Sequence, residues 1–360
     1  MRLTFTGDII IELPQFQKIG NGDYSTIFSE VKPIFEKTDL LIGNLETPLA
    51  GEEAGYTNHK WSFNSPDNLA VALKQVGFNI LTTANNHCLD RGIPGLVRTL
   101  DKLDQVGIQH IGTFRRPSEK RHLNIQVEGK SVALLSCTYG TNSAFNRQML
   151  SEDNEYMVSL TEKQTPPCEL IKRWNIPMRA YNKIRNKLRF LNFGNKHAVH
   201  NKSLLHRIKT DIGNAKNEGA DFIIMCLHYG GQYNDMPTED TCKMVNWMFE
   251  NGIDLVVANH EHVIHPIERR KDGRIAAYCL GNLTASPNSQ VAAENASAQI
   301  NKTDYSLVLH LDFNLDWTYP TISYEIIKSV IDNDGISRIK TVDTNDKNQE
   351  WLINKVESKL

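Results

Sequence analysis

Short apolar runs alternate with helical patterns along most of this 360-residue chain, and no other feature constrains the fold as strongly. The runs that read as buried strands are Leu3–Thr6, Leu40–Ile42, Asn79–Thr82, Val132–Ser136, Phe222–Leu227 and Leu255–Ala258. The predicted helices between them are Ser25–Lys37, Pro66–Val76, Ile93–Val106, Leu204–Glu218 and Thr238–Asn251. The last four helices each end at a glycine, which favours the left-handed backbone of a helix terminus. The alternation predicts a layered α/β domain.

Two parts of the chain depart from this alternation. Residues from about 143 to 203 show no obvious strand and read as an insertion. After residue 262 the pattern changes to hairpins, with Val263–Arg270 and Arg274–Leu280 on either side of a glycine-containing turn. Later strands near Ser306–Phe313 and Thr321–Ile327 and a helix over Trp351–Lys359 follow. We expect one domain over residues 1–290 with this insertion, completed by the strands and helix of residues 291–360.

The charge is segregated along the chain. A formal net charge of −2 excludes a uniformly basic nucleic-acid binder, and no nucleic-acid partner is expected. Residues 171–210 nevertheless hold eleven Lys and Arg side chains and no Asp or Glu. Tyr181, Ile184, Leu188 and Leu191 form an apolar helical stripe within this segment. It is either a helix packed on the domain with a solvated basic surface, or a surface for an anionic polymer or membrane headgroups.

The spacing of the cysteines and the hydropathy of the chain indicate where in the cell the protein is expected. The six cysteines are far apart and form no C-x-x-C pair, which indicates a reducing compartment. No apolar run approaches the roughly 18 residues of a membrane-spanning helix, and the N-terminus does not read as a signal peptide. We expect a cytoplasmic protein, with peripheral association to a membrane left open.

Polar residues that follow the predicted strands carry the chemistry. Sites in open α/β sheets form outside the carboxyl ends of the strands. The candidate metal ligands there are Asp8, Glu46, Asn86, His228, His260 and His262. Carboxylate, amide and imidazole groups suit Mn, Mg, Zn or Fe, so we expect one or two divalent ions. Taken singly, each residue has a simpler interpretation, such as a turn residue or a core histidine, and their joint placement favours a metal or phosphate site.

Two further histidines lie close to these candidates in the sequence. His87 follows Asn86 directly and is left for proton transfer or for holding a phosphoryl oxygen. His260 and His262 would point to the same side of an extended segment. His265 lies close to them in sequence and is a candidate substrate contact. Lys60 lies in the stretch His59–Pro66, one of those that carry the family resemblance given next. It could contact an anionic substrate, and a solvated lysine is an equal interpretation.

Eight stretches of this chain, in order, resemble the bacterial capsule-synthesis family of CapA type, a branch of the calcineurin-like metallophosphoesterases. They are Thr6–Asp8, Gly43–Leu49, His59–Pro66, Ala84–Gly92, Thr138–Asn142, Leu227–Tyr233, Ala258–Val263 and Tyr278–Leu283. The resemblance implies a metallophosphoesterase-like sandwich, with central β-sheets flanked by helices. It also implies that Asn86 binds metal, that His87 serves catalysis and that Glu46 takes the place of a bridging aspartate.

The chain departs from these patterns at three places. Ile10 stands where the superfamily has a metal-binding histidine, and Ala258-Asn259 stand where the family tends to have Gly-His. Gln232 stands where the family often has an acidic residue.

Two hypotheses about function follow. The first is a metal-dependent hydrolase of phosphoesters that serves the synthesis of a capsule or anionic polymer, poly-γ-glutamate or polysaccharide. The second is a non-catalytic module that binds an anionic polymer or supports a capsule-synthesis complex.

Overall fold

The computed structural model describes residues 1–58, 61–165, 195–284, 302–343 and 349–360, with the backbone alone for 195–200. Lys60 and the predicted apolar stripe of the basic segment lie outside these residues, as do residues 166–194 of the predicted insertion. Among the described helices, none combines the length and the apolar character needed to cross a bilayer.

Two sheets form the centre of the molecule. Their strands in the described ranges are β1 (Arg2–Ile9), β2 (Leu40–Leu45), β3 (Phe78–Thr82), β4 (Gln109–Ile111), β5 (Leu123–Val127), β6 (Lys130–Thr138), β7 (Phe222–His228), β8 (Leu255–Asn259), β9 (Ile267–Arg269), β10 (Ile275–Ala277), β11 (Asn282–Thr284), β12 (Tyr305–Asp312), β13 (Thr321–Ile331) and β14 (Ser337–Thr341). The first sheet runs β14-β13-β12-β1-β2-β3-β4, with β11 also paired to β1, and the second runs β5-β6-β7-β8-β10-β9.

Helices cover the outer faces of both sheets. The helices in the described ranges are α1 (Leu13–Ile19), α2 (Lys32–Phe35), α3 (Asn68–Val76), α4 (Gly92–Gln105), α5 (Ser143–Asn146), α6 (Asn195–Asn217), α7 (Glu239–Glu250) and α8 (Glu350–Glu357). Helix α8 differs from the covering helices, because its Leu352 and Val356 belong to the core between the sheets. Leu73 of α3 packs with Phe78 and Leu81 of β3 on the outside of the first sheet. Ile212 of α6 packs with the outer face of the second sheet. The predicted layered α/β sandwich, with sheets flanked by helices, is confirmed.

The main core lies between the two sheets. Phe5 and Ile42 of the first sheet belong to the same buried cluster as Leu134, Ile224 and Val257 of the second. These strands are apolar on both faces because the inner face meets the other sheet and the outer face meets helices. Strands β1, β2 and β3 pair in parallel, as do β6, β7 and β8. Several polar strand ends are therefore brought towards one end of the sandwich.

One predicted helix is wrong. The segment Ser25–Lys37 forms a 3-10 turn at Tyr24–Phe28 and then the short helix α2. Pro33 explains the break, because proline lacks a backbone N–H and its ring clashes with the carbonyl four residues earlier. Proline is tolerated in the first turn of a helix but not in its interior, so α2 can begin at Lys32 but one helix cannot run from Ser25 to Lys37. The predicted hairpin after residue 262 is confirmed in the antiparallel pair β9 and β10.

Gly7 is the point at which β1 changes neighbours. Residues Arg2 to Thr6 pair with β12, whereas Asp8 pairs with Asn282 of β11. A Cβ at Gly7 would lie 2.0 Å from the carbonyl oxygen of Gly281, so backbone meets backbone where no side chain fits. The close approach places Asp8, the next residue, against the second half of the chain.

We expect Gly7→Ala to lower the melting temperature by several degrees, because about 1–3 kcal/mol is typical of overpacking in a tight core. Thermal unfolding followed by circular dichroism measures this. The matched control is Gly213→Ala inside α6, where a Cβ has nothing within 4 Å. That change should stabilise the helix by roughly 0.5–1 kcal/mol. Equal melting temperatures for Gly7→Ala and the wild type would contradict the packing argument.

Candidate metal centre

The predicted ligands converge at the end of the sandwich where β1, β2, β7 and β8 finish. Asp8 lies near the end of β1, Glu46 follows β2 directly and His228 is the last residue of β7. His260 and His262 follow β8. All five side chains are buried, and Asp8 and Glu46 have no exposed surface. Such a concentration of buried charge needs compensating partners.

Two groups of potential ligand atoms share one residue. Glu46, His228 and His260 form the first group, and within it the ligand atoms lie within 4.8 Å of one another. Asp8, Glu46 and His262 form the second group, which meets the same limit. The arrangement therefore places Glu46 between two sets of carboxylate and imidazole ligands.

Asn86 joins the first group. Its Oδ1 atom lies 2.5 Å from Nε2 of His228, and that same nitrogen lies 3.1 Å from Nδ1 of His260. Glu46 Oε1 lies 3.3 Å from the His228 nitrogen as well. An amide oxygen, two imidazoles and a carboxylate thus crowd around one point, and these are the ligand types that divalent transition ions prefer.

The surroundings of the Glu46 carboxylate show whether these candidate ligands fit a metal ion. Both of its oxygens are buried, and neither accepts a hydrogen bond from the part of the chain that the structure describes. Nearly all buried polar atoms in native proteins have a partner, and a buried carboxylate without one is costly. A cation on each side of Glu46 would satisfy both oxygens, so the residues present fit one or two divalent ions.

Asp8 and His262 form the charged half of the second group. Burial works against the charge on Asp8, but His262 at 3.4 Å and the nearby His228 hold the pKa of its carboxyl below the usual value. Burial also opposes charge on His262, yet Glu46 and Asp8 raise the pKa of that imidazole to about 9. His260 differs, because burial and the neighbouring histidines lower its pKa well below the usual value.

Two amide side chains brace the ligands. Asn44 donates through Nδ2 to Asp8 Oδ1 at 2.7 Å and lies 3.3 Å from Nδ1 of His228. Asn282 Oδ1 lies 2.8 Å from Nδ1 of His262. Such partners fix the orientation of metal-binding side chains. Both residues fall within the motif stretches above, which is the signal that pointed to them, although no role followed from the sequence.

The His260–His262 segment is not extended, contrary to the sequence expectation. His260 has φ 108° and His262 has φ 59°, in the left-handed region that side chains other than glycine rarely adopt. Both rings nevertheless reach the centre, because the turn brings them to Asp8 and His228. Backbone strain of this kind clusters at functional sites, where surrounding contacts hold it in place.

His87 lies beside the ligands and does not belong to either group. Its Nδ1 lies 2.7 Å from Oδ2 of Asp90, and because a carboxylate only accepts, the ring donates from Nδ1. Its Nε2 is 4.0 Å from Glu46 Oε1. Burial lowers the pKa of His87, but the charges of Asp90 and Glu46 outweigh it and raise that pKa above its usual value. The ring is positioned to present a proton towards the centre.

The remaining candidates, His265 and Lys60, were predicted as substrate contacts. His265 has no exposed surface, and its Nε2 is 2.9 Å from the carbonyl oxygen of Asn234. This contact holds the loop after β7, and the structure does not bring His265 into the ligand groups. Lys60 lies outside the described residues. The opening above the centre is lined by Ile10 and Gln232, which are two of the three departures noted in the sequence, together with His87 and His262.

Comparison with protein-family models identifies the family of this chain. The model described as bacterial capsule synthesis protein PGA_cap matches residues 2–286, which include every residue of the centre. The chain belongs to the PGA_cap family. The PGA biosynthesis protein CapA of Bacillus subtilis (strain 168) is 25% identical over 285 residues, which are 78% of this chain and 62% of that protein. The capsule biosynthesis protein CapA of Bacillus anthracis is 21% identical over 308 residues, 84% and 64% of the two chains.

This PGA_cap chain therefore spans less than two thirds of the length of both relatives. Solved structures with a similar arrangement of elements include the sulfate thiohydrolase SoxB of Thermus thermophilus, with a TM-score of 0.42 and 12% identity. That match covers 92% of this chain and 45% of SoxB. GAP50, the anchor in the inner membrane complex of Plasmodium, matches with a TM-score of 0.38 and 12% identity over 98% of this chain and 94% of its own. These are distant likenesses.

Proposed function

We propose that this chain is a metal-dependent hydrolase of phosphoesters or related anionic esters that serves the synthesis of a capsule polymer. One observation carries the proposal. Glu46 is shared by two groups of ligands, and its buried oxygens have no hydrogen-bond donor among the described residues. Glu46, Asn86, His228 and His260 would hold one ion, and Asp8, Glu46 and His262 would hold the other. Bound divalent ions would lower the pKa of a bound water to about 7 and would neutralise charge on the phosphoryl group.

The chain's own residues supply the proton chemistry. Asp90 fixes the tautomer of His87 through the 2.7 Å contact to Nδ1, so that Nε2 faces the centre. Asp90 is itself held by the backbone N–H of Phe63 at 2.8 Å. The raised pKa of His87 favours the protonated ring, which suits a group that donates a proton to the leaving oxygen.

The biological setting comes from the relatives. Their names place them in the biosynthesis of PGA and of capsule, and the family description is capsule synthesis. We extend that setting to this chain as part of the proposal. An anionic polymer, a membrane surface or a capsule-synthesis complex as partner remains a prediction, because most of the basic segment lies outside the described residues.

Metal-dependent hydrolysis of an aryl phosphate tests the proposal. The protein is treated with EDTA, and release of nitrophenol from p-nitrophenyl phosphate and from its diester is followed before and after Mn²⁺ or Zn²⁺ is added back. We expect activity to vanish with EDTA and to return with the ion. Hydrolysis that proceeds at the same rate in EDTA would overturn the proposal.

The second candidate is the non-catalytic binding module, and Ile10 favours it. Its side chain lines the opening above His87 and His262, so the position where the superfamily has a further imidazole ligand is apolar. A protein that binds ions in stoichiometric amounts yet hydrolyses neither aryl ester would support this candidate over the enzyme.

A further inference from the structure

One central strand, β6, ends beside the centre without carrying a metal ligand. It pairs in parallel with β7, and its last residue, Thr138, is in register with the ligand His228. The chain continues at Tyr139, whose backbone N–H donates to the carbonyl oxygen of His228 at 3.1 Å. The ring of Tyr139 also packs against that of the ligand His260, with a centroid distance of 4.6 Å. The segment after β6 is therefore fixed against the ligands of the centre.

Asn142, which follows in this segment, faces the proton donor of the proposed reaction. Its Nδ2 atom lies 3.4 Å from Nε2 of His87. The other ring nitrogen of His87 donates to Asp90 at 2.7 Å, and the ring of Phe63 packs against the imidazole with a centroid distance of 4.4 Å. The imidazole is thus held at Nδ1 and on one side, and its remaining nitrogen points to the amide of Asn142.

The backbone holds the amide of Asn142 in this position. Asn142 has φ 50° and ψ 26°, in the left-handed region that asparagine adopts more readily than most residues with a side chain. Its carbonyl oxygen accepts from the backbone N–H groups of Phe145 at 2.8 Å and Asn146 at 3.0 Å. The side chain of Asn146 donates to the carbonyl oxygen of Thr141 at 2.7 Å and to Oδ1 of Asp90 at 3.3 Å. One short turn therefore holds both the amide and the carboxylate that fixes the imidazole.

Two hydrogen-bond donors therefore point at the same space. In the form that can give up a proton, both ring nitrogens of His87 carry hydrogen, and the amide nitrogen of Asn142 carries two hydrogens. Such donors cannot bond to each other, whereas one oxygen atom can lie within about 2.8–3.0 Å of two nitrogens that are 3.4 Å apart. Asn142 is also partly exposed and lines a cavity beside the centre, so a bound molecule can reach its amide. The pair suits a substrate oxygen that gains negative charge.

We propose that Asn142 is a substrate-binding residue whose amide donates a hydrogen bond, beside His87, to the leaving oxygen of a phosphoester. The reaction itself and the proton donation by His87 rest on the proposed function. Hydrolysis forms one P–O bond from water and breaks the P–O bond to the leaving group. The electron pair of the broken bond stays on the leaving oxygen, which takes the proton from Nε2 of His87, and the proton that the water loses returns to His87 through solvent. The hydrogen bond from Asn142 strengthens as the leaving oxygen gains negative charge.

The dependence of hydrolysis on the leaving group tests this contact. Phenol is a weaker acid than p-nitrophenol, so the leaving oxygen of phenyl phosphate needs more stabilisation than that of p-nitrophenyl phosphate. With the Mn²⁺-loaded full chain, we expect Asn142→Gly to lower kcat for phenyl phosphate about 10²- to 10³-fold, as is typical when one preorganised donor is lost. The fall for p-nitrophenyl phosphate should be at least about tenfold smaller, and KM should change less than about threefold for either ester, because the contact acts mainly in the transition state.

Three variants separate the amide from the backbone turn. Glycine adopts the left-handed conformation freely, so Asn142→Gly keeps the turn and removes only the amide. Asn142→Asp keeps the shape and the tolerance for this backbone but replaces a donor by an acceptor, so it should lose at least as much of kcat. The control is Arg147→Gly, because Arg147 is exposed and has a similar backbone, with φ 60°, at the other end of the same turn. This control should keep kcat for both esters within about twofold.

Binding of orthovanadate is the second measurement, because vanadate can become five-coordinate and place an oxygen at the leaving position. Calorimetry of the Mn²⁺-loaded protein should show at least about tenfold weaker binding for Asn142→Gly and Asn142→Asp, since a hydrogen bond to a charged group is lost.

The proposal is overturned if Asn142→Asp keeps the rate of the wild type, or if Asn142→Gly lowers kcat equally for the two esters. A wild type that binds vanadate but shows no metal-dependent hydrolysis would overturn the proposed function. In that case, tenfold weaker vanadate binding in both variants would still support the contact with Asn142, and unchanged binding would overturn it. A wild type that neither hydrolyses the esters nor binds vanadate would overturn both proposals.

Discussion

Glu46→Gln should remove high-affinity metal binding from both ligand groups at once. The substitution keeps the size of the side chain but deletes the charge of the one residue that the two groups share. Loss of a partner that only orients a metal ligand costs roughly 10- to 100-fold in affinity or activity. Loss of the shared ligand itself should exceed that, and we expect both the metal content and the hydrolytic rate to fall more than 100-fold. Elemental analysis after gel filtration and p-nitrophenyl phosphate turnover measure the two effects.

The control for this variant is Glu239→Gln on the surface of α7. Glu239 is 83% exposed and pairs with Lys243 within its own helix, so its loss changes the net charge by the same amount without touching the centre. The control should match the wild type in metal content and rate. Glu46→Gln that retains the metal content and affinity of the wild type would contradict the sharing of Glu46.

His87→Ala should separate catalysis from metal binding. His87 belongs to neither ligand group, whereas its Nε2 faces Glu46 and its Nδ1 is held by Asp90. Loss of a positioned proton donor typically costs about 10²- to 10⁴-fold in rate, and we expect a fall of that size with the metal content unchanged. Asp90→Asn should give a smaller fall, because it removes the charge that raises the pKa of His87 but keeps a side chain of the same shape.

His110→Asn is the matched histidine control. His110 lies on β4 and contacts Asp104 at 3.2 Å, on the first sheet but outside both ligand groups. Its loss should leave the rate within about twofold, as is usual for a change away from a reacting centre. A His87→Ala protein that loses its metal in proportion to its activity would recast His87 as a ligand.

The sequence was sufficient for the layers of the fold, and the reason is hydrophobic periodicity. Long buried strands such as β6 and β7 are continuous apolar runs, and α3 and α7 have the helical spacing that one buried face requires. The strands β4 and β11 have three residues each, which is too short for periodicity to reveal. The prediction of one helix across Pro33 was wrong because it gave more weight to the spacing of apolar residues than to the effect of proline on the backbone.

The strand ends also predicted which residues would meet, because parallel strands bring their carboxyl ends to one edge. The spacing of residues in the sequence does not predict the backbone geometry of the loops that follow those strand ends. The left-handed turn at His260 and His262 depends on contacts with Asp8 and Asn282 that are distant in sequence. The contact between His87 and Asp90 could have been predicted, since the two residues are three positions apart in the sequence. A carboxylate at position 90 is, however, equally consistent with a turn residue.

Anomalous X-ray diffraction from crystals grown with Mn²⁺ or Zn²⁺ is the most direct test of the central claim. We predict two anomalous peaks about 3.5–4 Å apart, the usual separation in two-metal sites, with Glu46 as a ligand of both. One peak should also touch His228 and His260, and the other should touch Asp8 and His262. No peak in contact with Glu46 at saturating metal, or peaks held by other residues, would contradict the account.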